Sequence, residues 1–190
     1  MNLFKREIKL YLLFIIGLSV NLCCSRSNEQ LKHDIELLKN EPIRIPYKNL
    51  LIYQGHQQIP IKKLEKSYRL VVYIDSVQCS SCSLQEMYHW EPFIDSISKY
   101  NDKVDICFIF SPPKKKLEMI KKKILRENFK YPIYVDTCGS FLNANKHIPN
   151  NSLLHTFMID KNDSVVLIGN PHTNPQIRDL LFSIINSRNN

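Results

Sequence analysis

The sequence predicts an α/β domain with three layers: a central mixed sheet with helices on both faces. Three observations predict it. Leu70 to Ile74 is continuously apolar and β-branched, as in a central strand covered on both faces, and Val104 to Phe110, Val-Asp-Ile-Cys-Phe-Ile-Phe, reads as a second buried strand. Each is followed by a segment with helical periodicity, and strands alternating with helices give a layered unit. Two shorter runs, His155 to Ile159 and Val165 to Ile168, flank the turn Asp160-Lys161-Asn162-Asp163 as an antiparallel hairpin ahead of a closing helix, which makes the sheet mixed.

At the N-terminus, Lys5, Arg6 and Lys9 precede an apolar run from Leu10 to Val20 and then Asn21-Leu22-Cys23-Cys24-Ser25, the layout of a signal peptide. The run is shorter than the roughly 20 residues that a spanning helix needs. Residues 1–23 are therefore read as a leader and 24–48 as a tether with a short spacer helix, in which Leu31, Ile35 and Leu38 lie along one side and Pro42 ends the pattern. Residues 49–190 form the domain, and the roughly 165 residues left after the leader suffice for one sizeable core.

Within the domain, Leu50 to Tyr53 and Ile59-Pro60-Ile61, separated by Gln54-Gly55-His56-Gln57-Gln58, form an irregular hairpin at a sheet edge, where Pro60 is tolerated. A helix follows the first central strand from about Cys82 to Lys99, with Met87, Trp90, Ile94 and Ile97 inward and a kink at Pro92. After the second strand, a helix from about Lys114 to Asn128 turns Leu117, Ile120, Ile124 and Leu125 to the core. It carries two lysine triplets outward, so much of the net charge of +8 is a solvated helix face and not a nucleic-acid footprint. Tyr131 to Val135 is a further strand, Phe141 to Lys146 a short helix, and Ile177, Leu180, Leu181, Ile184 and Ile185 mark the last helix. With four glycines, the chain has no phosphate-cradling loop.

The chemistry concentrates in Ser76-Val77-Gln78-Cys79-Ser80-Ser81-Cys82-Ser83, two thiols three residues apart between the first central strand and its helix. Backbone N–H groups at a helix start favour negative charge, so a thiol there ionises readily, and the thiolate is the reactive form. Cys79, nearer the turn, is the candidate nucleophile toward a disulfide, and Cys82 the thiol that resolves the mixed disulfide. Two alternatives stand beside this: half of a zinc site, whose other ligands would come from isolated residues such as Cys107, Cys138, His147 or His155, and a static structural disulfide. No metal and no cofactor is required by the first reading.

From about Leu50 to Ser187 the order of elements resembles the thioredoxin fold, and most of all the exported TlpA-like thiol-disulfide oxidoreductases. The segments that carry the likeness are RLVVYIDSVQCSSC, YPIYVDTCGSFLNANKHIP and LLHTFMIDKNDSVVLIGNP. The resemblance implies Cys79 and Cys82 as catalytic residues and Leu154, His155 and Thr156 as the substrate-binding turn beside them. Leu154 stands where the family has a cis-proline, and Gln78 where it has tryptophan directly before the first cysteine; both departures favour a binding or assembly module with little redox turnover as the alternative. His155 takes the next family position, where an imidazolium would stabilise a thiolate and a neutral imidazole would move its proton. A cysteine directly after the apolar leader resembles the lipobox of bacterial lipoproteins, with Cys24 as the lipidated residue. The partners implied are exported protein thiols or disulfides, a membrane redox donor or acceptor, and the membrane itself through the lipid anchor, with no nucleic acid; the place implied is the bacterial cell envelope, facing the periplasm.

Overall fold

A computed structural model of the 190-residue chain describes residues 28–61, 64–75, 84, 87–100 and 103–187. The expected leader, Cys24, Gln78, Cys79, Cys82 and the start of the helix after them lie outside the described residues.

The first described element is helix α1 at residues 28–40. Strands β1 (Leu50–Gln54) and β2 (Gln57–Ile59) pair antiparallel around Gly55-His56, in which only Gly55 has positive φ, 60°. Glycine at the first central position of a two-residue loop is the turn that matches the twist of the strands. Then come β3 (Tyr68–Ile74), α2 (Glu91–Ile97), β4 (Val104–Phe110), α3 (Leu117–Glu127), β5 (Ile133–Asp136), α4 (Ser140–Ala144), β6 (Thr156–Asp160), β7 (Val165–Ile168) and α5 (Pro175–Ser187). They form one seven-stranded sheet in the order β2-β1-β5-β4-β3-β6-β7. β3, β4 and β5 run parallel to their neighbours among themselves, and the remaining pairs are antiparallel, so the sheet is mixed.

Both faces are covered, because alternate residues of the strands enter two different cores. On one face Leu70, Val72, Phe108, Phe110, Ile133 and Met158 pack with residues of α2, α3 and α5 such as Ile94, Ile120 and Leu181. On the other, Val71, Tyr73, Cys107, Ile109, Tyr134 and Phe157 pack with Leu38 of α1 and Phe141 of α4. The unit β3–α2–β4 is joined through β3 and β6 to the hairpin β6–β7 and the final helix α5. This is the three-layer α/β fold, a mixed central sheet with helices on both faces, that the sequence predicts.

Several boundaries differ from expectation for identifiable reasons. The helix before β4 is broken: a 3-10 turn at Met87–Trp90, then α2, then a second 3-10 turn at Ser98–Tyr100. Pro92 stands in the first turn of α2, where its missing N–H costs nothing, so it starts a helix and does not kink one. β6 begins at Thr156 and not at His155, because His155 closes a 3-10 turn at Ser152–Leu154. In α5, Leu181 and Ile185 are buried while Leu180 is exposed. Helix α1, expected within a spacer, contributes Leu38 to the core with no exposed surface.

Candidate functional site

The parallel strands β3, β4 and β5 all end at one edge of the sheet. Ligand sites in open α/β sheets sit outside such carboxyl ends. β3 lies between β4 and β6 and ends at this edge, and in the sequence Cys79 and Cys82 follow it. The antiparallel pairing of β3 with β6 sets Val72 opposite Thr156, which brings the residues just before β6 beside those just after β3. A backbone hydrogen bond from Tyr73 N–H to His155 O, 2.9 Å, closes that junction.

The three residues expected to form the substrate turn are together here, and all are buried: Leu154 4%, His155 3% and Thr156 8% exposed. Leu153 is the residue that faces outward, 76% exposed. No described peptide bond is cis. The backbone of the turn is internally bonded: Leu154 N–H donates to Asn151 O, His155 N–H to Ser152 O, and Leu153 N–H to Asn151 Oδ1.

His155 is held on three sides. Its Nε2 lies 2.9 Å from the Pro149 carbonyl oxygen, and its ring meets Tyr73 edge-on at 5.1 Å between centroids. Its Nδ1 lies 4.0 Å from Asp75 Oδ2, beyond hydrogen-bond reach but at ion-pair range. Tyr73 in turn packs on Phe141 of α4, 5.0 Å between rings. Asp75 is the first residue after β3 and directly precedes the thiol segment. Sequence reading missed its part, since nothing local marks it as the partner of a histidine 80 residues away.

A second carboxylate at the same edge has a structural task. Asp136 Oδ1 accepts from Cys138 N–H, Ser140 N–H and Ser140 Oγ–H, and Oδ2 accepts from Phe141 N–H, so the side chain at the end of β5 caps α4. Cys138 is exposed and unpaired, and Cys107, in the middle of β4, is unpaired and has no exposed surface. Burial pushes the Cys107 thiol far above its ordinary range, which leaves it inert. Among the described residues no three His, Cys, Asp or Glu side chains gather as a metal-binding set, and no helix is long and apolar enough to cross a membrane.

No protein-family model matches the chain, and no curated protein does either. Among solved structures, the chain is similar to a thioredoxin-like protein from Bacteroides caccae, with 14% identity and a TM-score of 0.46 over 85% of this chain and 56% of that one. The chain therefore spans little more than half the length of that protein. It is also similar to an uncharacterized thioredoxin-like protein from Porphyromonas gingivalis, with 18% identity and a TM-score of 0.44 over 75% of this chain and 90% of that one. A domain of a possible thiol-disulfide isomerase from Cytophaga hutchinsonii aligns with 13% identity and a TM-score of 0.44, over 77% of this chain and 97% of that one.

Proposed function

We propose that the protein exchanges disulfides with other proteins through Cys79 and Cys82, as an exported member of the TlpA-like branch anchored by a lipid on Cys24 and facing the periplasm. The observation that carries the reading is positional: a central strand covered on both faces ends at Ile74, and a CxxC pair follows five residues later in the sequence. In the proposed cycle the Cys79 thiolate attacks one sulfur of a substrate disulfide, a Cys79–substrate disulfide forms, and the second substrate sulfur leaves as a thiolate. Cys82 then attacks Cys79 Sγ and releases the other substrate thiolate. The substrate gains two electrons and the Cys79–Cys82 pair loses them, to be restored by a membrane donor; run backward, with an acceptor, the same steps oxidise a substrate. The substrate chain would lie along the turn at 152–156, with exposed Leu153 as its apolar contact.

Reduction of insulin disulfides by dithiothreitol tests this. The wild-type chain should accelerate it, and Cys79→Ser should abolish the acceleration. Equal rates for the two proteins would remove the catalytic assignment.

One observation favours a second reading, a thioredoxin-like binding or assembly module with little turnover. The N–H groups of Leu153, Leu154 and His155 are all bonded within their own turn, so they are not free to pair with a substrate strand as the family's cis-proline turn does. That reading predicts the equal rates just described.

A further inference from the structure

The edge at which β3, β4 and β5 end is also where β1 and β6 begin and β7 ends, because β1 pairs antiparallel with β5, β6 with β3, and β7 with β6. The described chain entering or leaving the sheet there is residues 47–49, 75, 111–116, 137–139, 152–155 and 169–174. Asp75 is the only acidic residue among them, and its side chain is 19% exposed. The other fixed charges, Lys48, Lys114, Lys115 and Lys116, are all positive and all exposed, with no ion-pair or hydrogen-bond partner for their side chains among the described residues. The lysine triplet is held close to the end of β3. Ser111 N–H donates to Ile74 O at 2.9 Å, Pro112 and Pro113 stiffen the next two residues, and Lys116 N–H donates to Pro113 O at 2.8 Å. The fold gains nothing from these charges: they repel one another, the start of a helix disfavours cations, and Lys116 caps α3 without a side-chain hydrogen bond.

We propose that Lys114, Lys115 and Lys116 are a docking surface for an acidic segment of a partner protein, a run of Asp or Glu beside the cysteine that the partner presents to this edge. The inference deepens the disulfide-exchange reading and rests on it for what docking achieves. The occupant follows from how charge is distributed along the edge. β4 and β6 lie two strand spacings apart across β3, about 10 Å. A short extended peptide laid over β3 therefore meets the lysines that follow β4 with one part and exposed Leu153, ahead of β6, with another. A nucleic-acid backbone asks for positive charge along its whole path, and here the charge stops: residues 152–155 and 169–174 carry no lysine or arginine. A polypeptide of mixed composition, acidic at one end of the contact and apolar at the other, matches both parts. Such a surface speeds encounter with acidic partners and disfavours basic ones.

The test uses the full chain and fluorescein-labelled peptides whose single cysteine is blocked by carbamidomethylation, so that anisotropy reads binding apart from any exchange. At low ionic strength the peptide with glutamates beside its cysteine should bind about tenfold more tightly than the same peptide with serines there, the sum of a few exposed ion pairs, and high salt should erase the difference. Lys114→Gln, Lys115→Gln and Lys116→Gln combined should remove the preference, and arginine at the same three positions should keep it. The control combines Lys39→Gln, Lys99→Gln and Lys161→Gln, the same change of charge made away from this edge, and should retain the preference within about twofold. A preference that survives the first variant, is lost equally in the control, or persists in high salt overturns the proposal. So does triplet-dependent binding of phosphatidylglycerol vesicles or of a DNA oligonucleotide by protein that ignores the acidic peptide. Failure of the underlying reading is seen separately, as equal insulin reduction by wild type and Cys79→Ser while the peptide preference and its dependence on the triplet stand.

Discussion

Cys107 occupies the middle of β4 with no exposed surface, and it shares its face of the sheet with Tyr134 and with Tyr47, whose Oη is buried without a hydrogen-bond partner among the described residues. Burial raises all three groups: Cys107 and Tyr134 strongly, and Tyr47 from an ordinary 10.0 to about 12. The sign of the consequence follows from proton counts. Below pH 9.0, the ordinary thiol value, the folded and unfolded chains hold the same protons at these sites, and the stability they share in is whole. Above it the unfolded chain releases protons, first from cysteine and then from tyrosine, that the folded chain keeps, so stability falls as pH rises toward the folded values. Each group contributes about 1.4 kcal/mol per pH unit within its window. The urea midpoint should therefore drop between pH 8 and pH 10.5, and Cys107→Ala should flatten the drop; a level midpoint in wild type contradicts the account. At the functional edge, it was the family resemblance that marked Leu154, His155 and Thr156 as one turn, and the pairing of Val72 with Thr156 sets that turn beside the end of β3. Their burial and the Asp75 pairing were not legible, since both depend on how β3 and β6 register across 80 residues of chain.

At the scale of elements, the limits of β4 and β7 follow directly from the sequence, because a largely apolar run between polar or glycine neighbours has little freedom to end elsewhere. Helix ends are set by partners instead. α3 ends at Asn128 in the left-handed conformation, φ 54° and ψ 39°, and the β1–β2 turn leans on this end. Gly55 N–H donates to Phe129 O at 2.9 Å, and His56 Nδ1 is 2.8 Å from Leu125 O. Asparagine tolerates the left-handed region better than other residues with a Cβ, and glycine enters it without penalty. Asn128→Ala should lower stability by about 1–2 kcal/mol in urea denaturation, whereas Asn128→Gly should be neutral or slightly stabilising. If alanine and glycine behave alike, backbone strain is not what the position selects against. The hairpin β6–β7 shows a related limit of pattern reading. Its register sets Ile159 against Val165 and Met158 against Leu167, so Val166 is a bulge residue. That bulge lets Val165 and Leu167 enter opposite cores, which strict alternation forbids.

On the scale of the whole molecule, the stretch from α1 to β1 is where the helix stripe seen in the sequence acquires a meaning that periodicity alone does not carry. Leu38 and Ile43 are fully buried in the second core. Ile43 N–H donates to Asp163 O at 2.8 Å, in the β6–β7 turn, where Asp163 also pairs with Arg69 of β3 at 2.8 Å. The fully buried amide of Asn145 grips the next residue from both sides, accepting from Arg44 N–H at 2.7 Å and donating to Arg44 O at 2.8 Å. Residues 38–44 are thereby fastened to α4, β3 and the far hairpin at once, and the second layer of the sheet is completed by chain that precedes every strand. If this layer is integral to the fold, removing side-chain volume from it must cost what a core deletion costs. Leu38→Ala should destabilise the protein by about 2–5 kcal/mol, with one cooperative urea transition retained. Its neighbour Leu37, 36% exposed, supplies the control, and Leu37→Ala should stay within about 0.5 kcal/mol of wild type. Equal costs for the two would mean that α1 rests on the domain without being part of its core, and that the fold is complete from β1 onward.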